Sequence, residues 1–298
     1  MFSMEQVKSR KSRRNFTNRF ELLDLILLIL LTGWALMIII PFVNVLAVSF
    51  ATQKEYMDAR VLIIPKNIIL DNYIALFQDG RIWTGYRTTL TYLLIGVPIN
   101  MFLTTTMAYG LSRPLPFRRF FIYFIVFTMM FNGGIIPTYI LVKKLGLLDT
   151  LWSLFIPVLI SGYNVILMRS FFQSIPVSLA ESAFLDGASE VSVFFRIIVP
   201  LSKPIFATIT LFYAVSRWND FFNGIMFITT LSKKPLQVLL REILLQASAD
   251  ADSGPDTVYI GVNVKMAIVF ITIIPTMLFY PFLQKYFTKG IMLGAVKG

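Results

Sequence analysis

Six long apolar stretches run through this chain of 298 residues, and they restrict its fold more than any other feature. Each stretch reaches the length of about 20 residues that a helix needs to cross the hydrocarbon core of a bilayer. Charged residues make up only 14% of the sequence, against about 25% in soluble domains. We therefore predict an all-α membrane protein with six transmembrane helices, at residues 25–50, 84–111, 120–142, 151–174, 205–228 and 262–282.

Basic residues are concentrated in the connections on one side of these predicted spans. Residues 1–21, residues 112–119 and the C-terminus are mainly basic, whereas the connections 51–83 and 231–261 are balanced in charge. Since cytoplasmic loops carry an excess of Lys and Arg, both termini are predicted to be cytoplasmic. The net charge of +11 then reflects membrane topology and contact with lipid, not nucleic-acid binding. We predict a basic tail at 1–21 and a single six-helix domain at 22–298.

The residue types that the chain lacks exclude several kinds of chemistry. There is no cysteine and no histidine, so disulfides, the usual zinc ligands and histidine-based catalysis are all excluded. The chain also contains no Gly-Lys dipeptide, which a phosphate-binding P-loop requires. We therefore predict no catalytic residue, no metal site and no cofactor bound by this chain.

The connection between the fourth and fifth predicted spans, which we name the 176–204 segment, carries several charged residues between apolar neighbours. Pro176 prevents the preceding helix from continuing. Ser178 followed by Glu181 matches a capping box, which predicts that a helix starts at Ser178. Gly187 interrupts the helical pattern, and a second helix is predicted after it. The segment should therefore form a helix–turn–helix outside the membrane.

The 176–204 segment resembles the EAA loop of membrane permeases from ATP-binding-cassette importers. Ser182 stands where that loop usually has Ala, and Val199 where it has Leu, and both changes preserve size or apolar character. The resemblance implies two cytoplasmic coupling helices that fit a cleft on an ATPase subunit, with Gly187 permitting the turn between them. The positions assigned to ATPase coupling are Glu181, Ser182, Ala183, Asp186, Gly187, Ala188 and Pro200, with further matches at Ile197, Leu201 and Pro204.

The two acidic residues among these positions, Glu181 and Asp186, each have an alternative interpretation. Glu181 either completes the capping box, worth about 0.5–2 kcal/mol, or contacts an arginine of the ATPase, as the resemblance implies. Asp186 either pairs with Arg196 of the same segment or contacts the ATPase.

The six-span plan and the C-terminal sequence Pro281–Ile291 resemble the permeases of carbohydrate importers. The class is that of the smaller permease of the maltose system, and the subgroup serves complex oligosaccharides such as alginate or rhamnogalacturonan fragments. This resemblance implies a heterodimer with a second permease in the bacterial plasma membrane. It also implies two separate ATPase subunits that use ATP and Mg, and an extracytoplasmic solute-binding protein that delivers the carbohydrate.

Trp218, Asn219 and Asp220, within the fifth predicted span, are candidates for the substrate pathway. An indole offers a flat face to a sugar ring, and amide or carboxylate groups bind hydroxyls. The alternative is that Arg217 and Asp220, three residues apart, form a pair that only neutralises itself. Asn132 is a fourth candidate, next to a break predicted in the third span, although ordinary lipid-facing packing also explains this region.

A secondary transporter or channel without an ATPase is the alternative class. Such proteins often carry relays of carboxylates within the membrane, and here only Asp220 lies at such a depth. That class also leaves the 176–204 segment unexplained. On the substrate side, the charges of Arg217 and Arg87 would favour an anionic glycan through their field.

Overall fold

A computed structural model describes residues 22–59, 61–249 and 261–295. Every regular element in these residues is a helix, which confirms the predicted all-α class. The predicted basic tail at 1–21 lies outside the described residues. So does most of the stretch 247–255, for which the sequence predicts a mobile loop; its residues 247–249 end a helix.

The helices alternate between long apolar elements and short connecting ones. The α-helices are α1 (Leu22–Ser49), α2 (Gln53–Asp58), α3 (Asp71–Gln78), α4 (Gly80–Ser112), α5 (Arg118–Met130), α6 (Ile135–Lys144), α7 (Leu151–Phe155), α8 (Gly162–Ser174), α9 (Val177–Leu185), α10 (Glu190–Val193), α11 (Val199–Leu201), α12 (Lys203–Trp218), α13 (Phe222–Phe227), α14 (Leu236–Ala249) and α15 (Val262–Ala295). A single turn of 3-10 helix at Ile156–Val158 follows α7, and another at Leu231–Lys233 precedes α14. A π-helical turn at Phe194–Ile198 joins α10 to α11.

The chain divides into two compact units, Met1–Asn44 and Val45–Gly298. The described part of the first unit belongs to α1, whose side chains from Leu25 to Phe42 are exposed around the whole helix. Met37, for example, is 76% exposed. A helix that is apolar on all sides is stable in lipid and not in water, so this part of α1 is suited to span a membrane.

Two continuous helices are long and apolar enough to cross a membrane, and the described residues allow up to five spans if bent pairs of helices are included. The bends measure 111° between α5 and α6, 54° between α7 and α8, and 79° between the helices at 190–201 and α12. The spans predicted at 151–174 and 205–228 are not continuous helices, because each is interrupted, and the span predicted at 120–142 is interrupted where the sequence predicts a break. The count of six stays a prediction.

The break in the third predicted span lies where the sequence places it, between α5 and α6. Gly134 adopts a φ of +87°, a backbone conformation that residues with a Cβ rarely adopt. Its N–H donates to Asn132 Oδ1 at 2.9 Å, which satisfies one backbone group that the interruption frees. The prediction of a break here is confirmed.

Helix α4 is central to the second unit, where it contacts α8, α12 and α14. Several of its buried side chains are polar, and Thr89 is one example: its hydroxyl accepts the N–H of Leu236 at the start of α14, at 2.9 Å. Backbone groups at membrane depth need such partners, since no water is available to them. The polar face of α4 therefore stabilises the ends and breaks of its neighbours.

A carboxylate fixes the connection between α6 and α7 to the residues after α13. Asp149, at a φ of +57°, accepts the N–H groups of Thr229 at 3.0 Å and Thr230 at 2.8 Å. It also accepts the Thr230 hydroxyl and pairs with Lys233 Nζ at 3.0 Å. These donors, the Thr230 groups first among them, hold the pKa of Asp149 well below its ordinary value of 3.8.

We expect Asp149→Asn to lower the free energy of unfolding by about 1 kcal/mol at neutral pH, because Asn tolerates the same backbone conformation but carries no charge. A lowered folded-state pKa gives stability that is present above the ordinary pKa and lost as pH falls through the folded-state value. Thermal unfolding of both proteins against pH checks this. The difference should hold down to about pH 4 and shrink only below it; a difference that vanishes near neutral pH would contradict it.

Candidate functional site

The first helix of the 176–204 segment, α9, begins at Val177, one residue before the predicted start. Pro176 occupies the N-cap position with an extended backbone, and no side chain caps this end. The predicted capping box of Ser178 and Glu181 is therefore wrong, because Ser178 already lies inside the first turn. Glu181 is exposed and has no hydrogen-bond or ion-pair partner among the described residues. Capping does not account for this residue.

The turn after α9 favours glycine. Gly187 has a φ of +80°. Its N–H donates to the carbonyl of Phe184 at 3.0 Å, and the N–H of Ala188 donates to the carbonyl of Ala183 at 2.9 Å. These two hydrogen bonds form a Schellman motif, which ends a helix with a residue in the left-handed region. The predicted helix, glycine turn and second helix are confirmed.

The second half of the segment starts at a cap that sequence reasoning missed. Ser189 is the N-cap of α10, and its hydroxyl accepts the N–H of Ser192 at 3.3 Å. The signal was present, since Ser directly before an acidic first-turn residue, here Glu190, is typical of a helix start. The chain then continues through the π-helical turn, which includes Arg196, and through α11 with Pro200, before α12.

The 176–204 segment presents a surface of apolar, acidic and basic side chains, with Arg196 and Lys203 as the exposed basic ones. Glu181, Ser182, Asp186 and Pro200 are exposed, as is Gly187. Asp186 makes no ion pair with Arg196, and it has no side-chain partner in the described part of the chain. Leu185 is 90% exposed, and Phe184 is 40% exposed. Ala183 and Ala188, in contrast, are half-buried and pack against the hydrophobic core.

Apart from the 176–204 segment, a polar network lies inside the helix bundle, where α12 ends. The side chains of Arg217 and Asp220 are 4% and 8% exposed, and Arg217 Nη1 lies 3.9 Å from Asp220 Oδ2. Arg217 also donates to the carbonyl of Val158. Asp220 accepts the Asn223 amide at 2.9 Å and lies 3.0 Å from the Tyr92 hydroxyl. The predicted pair of Arg217 and Asp220 is confirmed as a contact, but it belongs to a larger network.

The same polar face of α4 stabilises the break between α7 and α8. Asn100 donates its amide to the carbonyl of Leu159 at 2.5 Å. The Tyr213 hydroxyl accepts the N–H of Ser161 at 3.1 Å and contacts Thr104 at 2.6 Å. Sequence reasoning missed these residues, although a buried Asn or Tyr within an apolar span is itself a signal of an internal partner.

Beside this network lies an open groove between the α7–α8 break and α12, with a volume of approximately 860 Å³. That volume is in the range of about 300–1,000 Å³ found for small-molecule sites. Its lining combines hydroxyl, amide and aromatic side chains with the guanidinium of Arg217. The lining includes Ser161, Tyr163, Asn164, Phe212, Ser216 and Arg217.

The structure separates the four residues predicted for the substrate pathway. Trp218 is 3% exposed, packs in the hydrophobic core and donates its indole N–H to the carbonyl of Thr272 at 3.2 Å. Its ring therefore offers no open face to a sugar in this conformation. Asn219 is exposed, and Asp220 belongs to the polar network. Asn132 lies at the separate break between α5 and α6.

We expect Trp218→Phe to lower the free energy of unfolding by about 1 kcal/mol through the lost hydrogen bond. The substrate concentration for half-maximal uptake should stay at the wild-type value, because the indole is buried. Thermal unfolding and uptake kinetics on the same preparations check both parts. A raised half-maximal concentration at unchanged stability would instead place Trp218 in the substrate pathway.

The described residues form a helical bundle with an exposed helix–turn–helix between α8 and α12. The chain belongs to the family described as binding-protein-dependent transport system inner membrane component, whose model matches residues 88–293.

Two relatives match almost the whole chain. The chain is 42% identical over 283 residues to the polygalacturonan/rhamnogalacturonan transport system permease protein YtcP of Bacillus subtilis, covering 93% of this chain and 99% of YtcP. It is 40% identical over 287 residues to the protein LplC of the same organism, covering 95% and 97%.

A solved structure has the same fold. It is the crystal structure of a bacterial ABC transporter involved in the import of the acidic polysaccharide alginate. The TM-score is 0.80 at 33% sequence identity, and the match covers 89% of this chain and 96% of that one.

Proposed function

We propose that this chain is a permease subunit of an ATP-driven importer that takes up oligosaccharide fragments, acidic ones in particular. The observation that carries the proposal is the exposed surface of the 176–204 segment in a member of an importer family. Because the chain has no Gly-Lys dipeptide and hence no P-loop, we assign ATP hydrolysis to a separate subunit. The 176–204 segment is then the part of the permease that contacts the ATPase and follows its movement.

The surface of the segment suits a basic cleft on such an ATPase. Glu181 and Asp186 are exposed and have no partners in the described chain, so both carboxylates are available to cations of another subunit. Leu185 adds an apolar group that association would bury. The positive-inside pattern of the basic connections supports a cytoplasmic position for the segment and for both termini.

The proposed assembly contains this chain and a second permease, as a multi-pass heterodimer in the bacterial plasma membrane. Two ATPase subunits bind ATP and Mg, and an extracytoplasmic solute-binding protein delivers the carbohydrate. The permease itself makes and breaks no covalent bond: it alternates access to the pathway as the ATPases bind and hydrolyse ATP.

The groove beside the polar network is the part of the pathway that we assign to this subunit. Its Tyr163 and Phe212 offer aromatic faces for sugar rings, and Ser161, Asn164 and Ser216 offer hydrogen bonds to hydroxyls. The charge of Arg217 is partly neutralised by Asp220. Arg87 is exposed and makes no ion pair within the described residues, so its field is the more effective source of preference for an anionic glycan.

Uptake by the complete complex in proteoliposomes tests this proposal, with ATP and Mg inside and binding protein outside. We expect ATP-dependent uptake of an oligogalacturonide and slower uptake of a neutral oligosaccharide of equal length. Equal uptake of the two would remove the acidic preference. Uptake that needs an ion gradient and no ATP would favour the secondary transporter instead.

A further inference from the structure

Three side chains join the C-terminal end of α4 to α10 of the 176–204 segment. Arg113 Nη2 donates to the Tyr109 hydroxyl at 2.8 Å, and this hydroxyl lies 2.5 Å from Glu190 Oε1, to which it donates. Arg113 Nε lies 3.0 Å from the same carboxylate oxygen. The guanidinium carbon also lies 5.0 Å from the centre of the Tyr109 ring. Each member therefore contacts the other two.

The Tyr109 ring extends this connection to further elements. Its centre lies 4.7 Å from the ring of Phe194, in the π-helical turn after α10, and 6.0 Å from the ring of Phe172 in α8. Tyr109 is thus the residue at which α4, α8 and the second half of the 176–204 segment meet. π-helical turns occur frequently at functional sites.

Helix α4 connects this point to the groove. It is continuous over 33 residues, and the 17 positions from Tyr92 to Tyr109 span about 25 Å. Tyr92 contacts Asp220, and Asn100 and Thr104 reach the α7–α8 break and Tyr213 of α12. Helix α4 therefore contacts both the Tyr109 trio and residues that shape the groove wall.

We propose that Tyr109, Arg113 and Glu190 are positioning residues that transmit movement of the 176–204 segment to α4, and so set the number of substrate molecules transported per ATP hydrolysed. This inference rests on the proposed function, since it requires a motor that moves the segment. The Arg113 and Glu190 side chains are 25% and 51% exposed. Ion pairs this accessible contribute little to folding stability, so substitutions in this trio should change coupling more than stability.

The test uses the whole complex in lipid, with ATP hydrolysis and substrate uptake measured on the same sample. Tyr109→Phe removes only the hydroxyl and keeps the ring contacts, while Glu190→Gln removes the charge. Each should lower substrate transported per ATP by about 5-fold, the lower end of typical coupling between sites. The double variant should be no worse than the single ones, because both changes remove one connection. Tyr123→Phe, on an exposed tyrosine of α5, is the matched control and should leave the ratio unchanged.

Charge-reversal variants distinguish a loss of movement transmitted from the 176–204 segment to α4 from a general disruption of the fold. Arg113→Glu alone should uncouple uptake from hydrolysis, and adding Glu190→Arg should restore part of the ratio. The inference is overturned if Tyr109→Phe and Glu190→Gln keep the wild-type ratio, or if they reduce the ratio only by losing the ATPase during purification. Wild-type complex that shows no ATP-driven uptake would refute the proposed function, and this inference with it; normal uptake with uncoupled variants supports both.

Discussion

Gly187→Pro is expected to reduce ATP-driven uptake by about 10-fold or more. Proline fixes φ near −65° and has no N–H, whereas this position has a φ of +80° and donates to Phe184. Strain and the lost hydrogen bond together amount to about 2–3 kcal/mol, enough to depopulate the native turn by the stated factor. No atom outside the adjoining residues lies within 4 Å of the position that a Cβ would take at Gly187, so a Cβ by itself meets no steric obstacle there.

The matched control is Gly187→Asn, because Asn adopts the left-handed conformation more readily than other residues with side chains. It should retain most of the uptake and most of the co-purified ATPase, while Gly187→Pro loses both. The two variants are compared by uptake in proteoliposomes and by the ratio of ATPase to permease after purification. If Gly187→Pro transports at the wild-type rate, the turn does not position a motor-binding surface.

Arg217→Leu should give the largest loss of stability of any single substitution in the polar network, about 3–5 kcal/mol. The change leaves the carboxylate of Asp220, whose side chain is 8% exposed, without its cation. The change also removes the hydrogen bond that the Arg217 guanidinium donates to the carbonyl of Val158. We expect the variant to accumulate poorly in the membrane and to show a lowered midpoint of thermal unfolding in detergent.

Two further variants distinguish the effect of losing a buried ion pair from the effect of losing an exposed one. Arg81→Gln breaks an ion pair with Asp79 that is 2.7 Å long but about one quarter exposed, and it should cost at most about 1 kcal/mol. Adding Asp220→Asn to Arg217→Leu should recover part of the loss, since no buried charge then lacks a partner. An Arg217→Leu protein as stable as Arg81→Gln would show that the network does not hold the bundle together.

Local signals in the sequence predicted the parts of the fold that local chemistry decides. Gly187 and Gly134 have positive φ where the sequence places a turn and a break. The N-cap of α9 was misjudged by two residues, because Ser178 matches a cap in type while Pro176 takes that position. This shift changes which side chain can reach the first turn, so the capping box failed although the helix exists.

The parts of the fold and of the candidate site that the sequence did not predict depend on contacts between residues far apart in the chain. Tyr92 meets Asp220, which is 128 positions away, and Glu190 meets Tyr109 across 81 positions. No spacing rule within a helix encodes such pairs. Trp218 shows the same limit, since its neighbours in sequence are polar but the helices packed around it bury its ring.

Co-purification from native membranes, with every chain identified by mass spectrometry and the stoichiometry measured, tests the central claim most directly. The account predicts that the tagged wild-type chain brings down one second permease and two copies of an ATPase subunit, and that Gly187→Pro keeps the permease and loses the ATPase. A complex of this chain with itself, without an ATPase in either sample, would contradict the motor-driven importer.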